Sequence, residues 1–111
     1  EAITAANTDT ESGVTAGECG TGSGSAIITV PAGTYTLDFG SQLVIETDET
    51  LIGAGTAFTI VQASIVNPVL FPADPGVADH RVFRITTGPM AISGMTIQHG
   101  NPGGAGGAIR N

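Results

Sequence analysis

Short apolar runs recur along this chain at a fixed interval. AIITV (Ala26–Val30), TYTLD (Thr34–Asp38), QLVIE (Gln42–Glu46), TLIGA (Thr50–Ala54) and FTIVQ (Phe58–Gln62) each begin eight residues after the one before. Turn formers separate them: Pro31-Ala32-Gly33, Gly40-Ser41, and Gly53 to Thr56. Short β-branched runs bounded by such residues read as strands. Their even spacing predicts a sandwich, a barrel or a solenoid.

A second set follows: RVFRI (Arg81–Ile85), MAISG (Met90–Gly94) and MTIQH (Met95–His99). Gln42 to Arg81, Thr50 to Met90 and Phe58 to Met95 span 39, 40 and 37 residues, so three strands repeat as a set. LIGAGTAFTI and AISGMTI both carry a glycine corner followed by Thr-Ile. Gly106–Arg110 opens a further round. The excess length lies in Ala63–His80, whose three prolines and one glycine predict a loop inserted between rungs. Without about 16 of these residues the repeat shrinks to roughly 24, the size of a solenoid rung with three strands.

The predicted fold is therefore all-β: a three-sided parallel solenoid of about three rungs, each strand pairing with its equivalent one rung on. The inward ladders are expected to place Val44, Ile52 and Ile60, or the residue one place to either side of each, under Phe83, Ile92 and Ile97. Gly53, Gly94 and Gly100 are expected to turn corners through a positive φ. A sandwich would favour Asn-Gly or Asp-Gly hairpins, and the chain has neither. Solenoid ends need caps. EAITAAN at residues 1–7 predicts a short helix, apolar on one side and ended by Asn7, held by packing on the first rung. The chain divides as one domain: cap and loop at 1–25, first rungs at 26–62, inserted loop at 63–80, and later rungs at 81–111 with an open C-terminal edge.

Composition narrows the functional classes. Only 12% of residues are charged, none is Lys, and the net charge is −7. Arg81, Arg84 and Arg110 are the only permanent cations, too few to neutralise nucleic acid or anionic lipid. No apolar run is long enough to span a membrane. An acidic chain without lysine suits an extracellular or cell-surface location. The single Cys19 is either a free thiol or half of a disulfide whose partner lies upstream of Glu1.

Taken in order, EAITAANTD, GECGTGSGSAIITVPAGTYTL, LIGAGTAFTI and RVFRITTGPMAISGMTIQHGNPGGAGGAIRN resemble the N-terminal region of right-handed parallel β-helix repeat proteins. These are large secreted or surface proteins of bacteria with the pectate-lyase-like superfold. The resemblance implies a right-handed coil, a Cys19 disulfide to an upstream Cys-x-Leu-Arg segment, and further rungs after the Gly-Gly-x-Ile-x-Asn motif. The superfold hosts lyases, hydrolases, adhesins and passive stalks, so it constrains activity weakly.

Candidate chemistry is thin. Arg81 and Arg84, three apart on one strand, point to opposite faces. Glu46, Asp48 and Glu49 cluster at one corner and read as a solvated turn. His80 and His99 read as surface histidines at loop edges, without the spacing of a metal site. No catalytic residue, metal site or cofactor is predicted. Two surfaces are candidates for interaction: the apolar cluster Ile65, Val66, Val69, Leu70 and Phe71 in the inserted loop, which either folds back over its own solenoid or meets another protein, and the last strand with Ile109, Arg110 and Asn111. The expected function is a non-catalytic extracellular structural or adhesin-like module that self-associates or continues end to end, as a filament former does, with other copies of itself or cell-surface molecules as partners. The alternative is the N-terminal fragment of a polysaccharide-degrading lyase or glycoside hydrolase, with its site on other rungs.

Overall fold

A seven-residue helix and nine short strands account for the ordered framework of the computed structural model, which describes residues 2–8, 25–37, 41–65, 80–101 and 107–111. The helix is α1 (Ala2–Thr8). The strands are β1 (Ala26–Val30), β2 (Gly33–Thr36), β3 (Leu43–Ile45), β4 (Glu49–Gly53), β5 (Thr59–Gln62), β6 (Phe83–Ile85), β7 (Met90–Ser93), β8 (Thr96–Gln98) and β9 (Ile109–Arg110). Every pairing is parallel and joins a strand to the one three places on. The result is three three-stranded sheets: β1-β4-β7, β2-β5-β8 and β3-β6-β9. The expected repeat of three strands is thus present, and the repeated sets pair as the sequence spacing predicts. Strand ends move by up to three residues, the most at β9, which starts at Ile109 rather than Gly106.

Backbone hydrogen bonds carry the pairing across the corners. Ala26 N–H donates to Asp48 O, Gly33 N–H to Phe58 O, and Thr86 N–H to Ile45 O. The corner threonines add to this. Thr59, fully buried, accepts from Ala54 N–H at 2.9 Å and donates to Pro31 O at 3.1 Å. Thr86 and Thr87 donate to Ile45 O and Glu46 O. Polar groups at the bends are thereby paired without sacrificing the sheets.

The aliphatic core contains Ile45, Leu51, Val61, Ala63, Val82, Phe83 and Met95, with Leu43, Ile92 and Ile97 packed on it. The observed phase of the first set lies one residue from the named positions, on the other of the two registers left open. Phe83 pairs with Leu43, Ile92 with Leu51, and Ile97 with Val61. Val44 instead lies opposite Arg84, and Ile52 is 40% exposed. A one-residue slip moves every side chain to the other face. Leu43-Val44-Ile45, Leu51-Ile52 and Ile60-Val61 are consecutive aliphatics, so alternation along the sequence does not choose between the two phases.

The cap also differs in detail. Ala5 and Ala6 are buried, as a helix docked on its apolar side requires. Asn7 does not end the helix, which continues to Thr8. Its side-chain amide turns to the edge of β3 instead, donating to Val44 O at 2.7 Å and accepting from Glu46 N–H at 2.8 Å. A neighbouring parallel strand would use those same two backbone groups. One asparagine therefore stands in for one residue of a pairing strand.

Among the three glycines expected to need a positive φ, only Gly94 has one, at 62°. Gly53 and Gly100 are required for close approach: a Cβ on either would lie 2.2 Å from a carbonyl oxygen, that of Gly94 or Gly107.

Candidate functional site

The two ends of the sheets are chemically unlike. At one end, α1 packs beside β1 and β3, and Asn7 occupies the β3 edge. At the other, β7, β8 and β9 are the outer members of their sheets, and no described residue forms a strand beyond them. A strand edge with unpaired N–H and C=O groups is a template for further pairing.

A polar column leads to that open edge. Thr36, Gln62 and Gln98 occupy matching positions on β2, β5 and β8. Gln62 Nε2 donates to Thr36 Oγ1 at 2.9 Å, and Gln98 Nε2 donates to Gln62 Oε1 at 2.8 Å. Gln62 is buried, so these bonds satisfy an amide that would otherwise be costly to desolvate. The column fixes the register of the sheet and leaves Gln98 as its last member on the edge strand. Sequence inspection missed it, although the signal was there: Gln at the end of both FTIVQ and MTIQ.

The edge candidates from the sequence are placed on this surface. Ile109 lies opposite Phe83 and is 37% exposed, while Arg110 and Asn111 are exposed. In the inserted segment, Ile65 is 75% exposed. Val66, Val69, Leu70 and Phe71 lie outside the described residues, as does Cys19.

Two readings of titratable residues are corrected. Glu49 is not part of a solvated turn. It is the first residue of β4, 2% exposed, with Ala26 and Met90 opposite it. Its Oε2 has no hydrogen-bond partner, and its Oε1 has only a long 3.5 Å contact from the Thr47 hydroxyl. Burial raises its pKa above the ordinary carboxyl value, opposed weakly by that hydroxyl. The neighbouring Asp48 is exposed. With Glu49 buried and Asp48 exposed, the two carboxyls do not form the facing pair that glycoside hydrolysis needs.

His80 is likewise buried rather than superficial. Its Nδ1 is 2.7 Å from Arg81 O, and His99 Nδ1 is 2.8 Å from Ser64 O. Because a carbonyl only accepts, each Nδ1 carries the proton. The Nε2 of His80 is buried without a partner. His99 adopts φ 57°, the one left-handed non-glycine residue among those described, at the bend that follows β8. No group of three or more His, Cys, Asp or Glu is arranged around a metal position among the described residues. Nor is any described helix long and apolar enough to cross a membrane.

In comparisons of sequence and of fold, no family model, no curated protein and no solved structure matches this chain.

Proposed function

We propose that this chain is a non-catalytic structural module, a right-handed parallel β-solenoid with an N-terminal helical cap, that works by strand addition at its uncapped edge. The observation that carries the reading is the difference between the two ends: α1 and Asn7 finish one, while at the other β7, β8 and β9 have no further strand beside them among the described residues. Added strands, from further rungs or from another copy, would extend the three sheets and cover Ile92, Ile97 and Ile109. Burying such side chains is favourable by about 25 cal/mol per Å² of apolar surface, and the paired backbone adds direction and register. The low charge, the absence of lysine and the resemblance to bacterial β-helix proteins support an extracellular or cell-surface setting, with an adhesin-like or filament-forming role.

The test is particle size against concentration, by sedimentation velocity and electron microscopy. Self-association that rises with concentration is expected. Ile109→Lys together with Ser93→Lys, which places charge on the edge, should leave a monomer with an unchanged far-ultraviolet spectrum. A wild-type chain that stays monomeric at every concentration would remove self-association from this reading.

A further inference from the structure

Two of the three arginines stand side by side. Arg84 on β6 and Arg110 on β9 are register partners on neighbouring parallel strands, and both are exposed. Phe83 belongs to the core and Ile109, its register partner, shares that side of the sheet, so by alternation Arg84 and Arg110 share the outer face. Adjacent strands run about 4.8 Å apart. Like charges placed directly opposite on a sheet repel. The third position in the row, Val44 on β3, is apolar and supplies no counter-charge. The remaining arginine, Arg81, is already engaged within the chain.

This arrangement is unusual for the composition. Ten carboxylates accompany only three arginines, yet two of the three are register partners on adjacent strands, with no carboxylate in their row. The repulsion is relieved if an anion from outside the chain bridges the pair. Guanidinium forks match the planar carboxylate, each offering parallel N–H donors. The net charge of −7 keeps dense polyanions at a distance and leaves a ligand with a single carboxylate as the better fit.

We propose that Arg84 and Arg110 form a carboxylate clamp on the outer face of the β3-β6-β9 sheet, with one carboxylate bridging both guanidinium groups. The carboxylate comes either from a free small acid or from the exposed Glu46–Asp48 corner of a second copy of this chain.

Three arginines give three Nε–Hε signals in an NMR spectrum, assigned by their loss in the Arg81→Gln, Arg84→Gln and Arg110→Gln variants. Acetate is titrated in at constant ionic strength against chloride. The Arg84 and Arg110 signals are expected to move together and saturate, while that of Arg81 stays in place. Arg110→Gln should weaken the response of Arg84 about tenfold, and Arg110→Lys, which keeps charge but loses the fork, should weaken it less. If a second copy supplies the carboxylate, the same two signals move with protein concentration alone. That movement is then absent from a Glu46→Gln, Asp48→Asn variant. All three signals moving alike and without saturation, or none moving in either series, overturns the clamp.

Discussion

Gly53 and Gly94 meet at a corner with no room for a side chain on either. A Cβ on Gly53 would lie 2.2 Å from Gly94 O, and one on Gly94 would lie 2.5 Å from Gly53 O. The Gly94 carbonyl is held there by the Gly55 N–H at 2.8 Å. Gly53→Ala and Gly94→Ala should each destabilise the fold by about 2–4 kcal/mol, because backbone rather than a flexible side chain must move. Gly94→Ala carries the added strain of φ 62°. Urea titration followed by circular dichroism measures both, and a loss below 0.5 kcal/mol, on the order of a surface substitution, would contradict the close approach.

The Asn7 amide makes two hydrogen bonds at once, one as donor and one as acceptor, as a carboxamide can. Asn7→Ala should cost about 1–3 kcal/mol by leaving Val44 O and Glu46 N–H without their partners. Asn7→Asp keeps the acceptor for Glu46 N–H but faces Val44 O with no donor, so it should not rescue the loss. Thermal melts of the three proteins at neutral pH give the ranking.

Glu49 makes stability depend on pH in a defined direction. Its pKa is raised in the folded state above the reference value of 4.5, because burial disfavours the charged form. The folded protein therefore keeps the proton over a window in which the unfolded chain has released it. Stability falls as pH rises from 4.5 through the raised folded value, and it levels off above that. The strands beside it, β1 and β7, carry no titratable residue between Ala26 and Val30 or between Met90 and Ser93. Asp48 is its acidic neighbour in sequence. Glu49→Gln should flatten this slope and be the more stable protein at neutral pH, with the two curves converging below 4.5. Chemical denaturation across a pH series checks it, and parallel curves would show that Glu49 is not the group responsible.

Thr59 is a buried hydroxyl that accepts from Ala54 N–H and donates to Pro31 O. Thr59→Val preserves the shape and removes both bonds, leaving a backbone N–H without a partner, at a cost of about 1–3 kcal/mol. Thr59→Ser keeps the bonds and loses one methyl group, so it should cost less. The difference between the two variants in denaturant midpoint isolates the hydroxyl.

Strand count and pairing order could be read from the sequence because turns punctuate it. Pro31, Gly33, Gly53 and Gly94 mark bends, and strands between evenly spaced bends have few ways to pair. Phase could not be read from Leu43-Val44-Ile45, where each of three aliphatics suits either face. Burial of Glu49 was hidden for the same reason. Its inward direction follows from Leu51 pointing in, which the sequence left open. The Arg84–Arg110 pairing depends on which residue of the last strand meets β6, and the glycine-rich stretch before Ile109 conceals that register. The helix was visible in EAITAAN, but an asparagine serving as a strand residue depends on where the helix docks.

The Thr36–Gln62–Gln98 column has an electrical consequence. Its bonds run in one sense, each amide donating back toward the strand before it. Dipoles aligned in this way polarise one another, and a bond in such a series strengthens its neighbour. Gln62, at the centre, both donates and accepts, so removing it breaks the polarisation in two directions, whereas removing Gln98 shortens it by one. The energies of the two losses should not simply add in a double-mutant cycle. A short row of two amides and a hydroxyl, centred on the buried Gln62, thus gives the molecule a small internal field with a head and a tail, lying across the strands rather than along them.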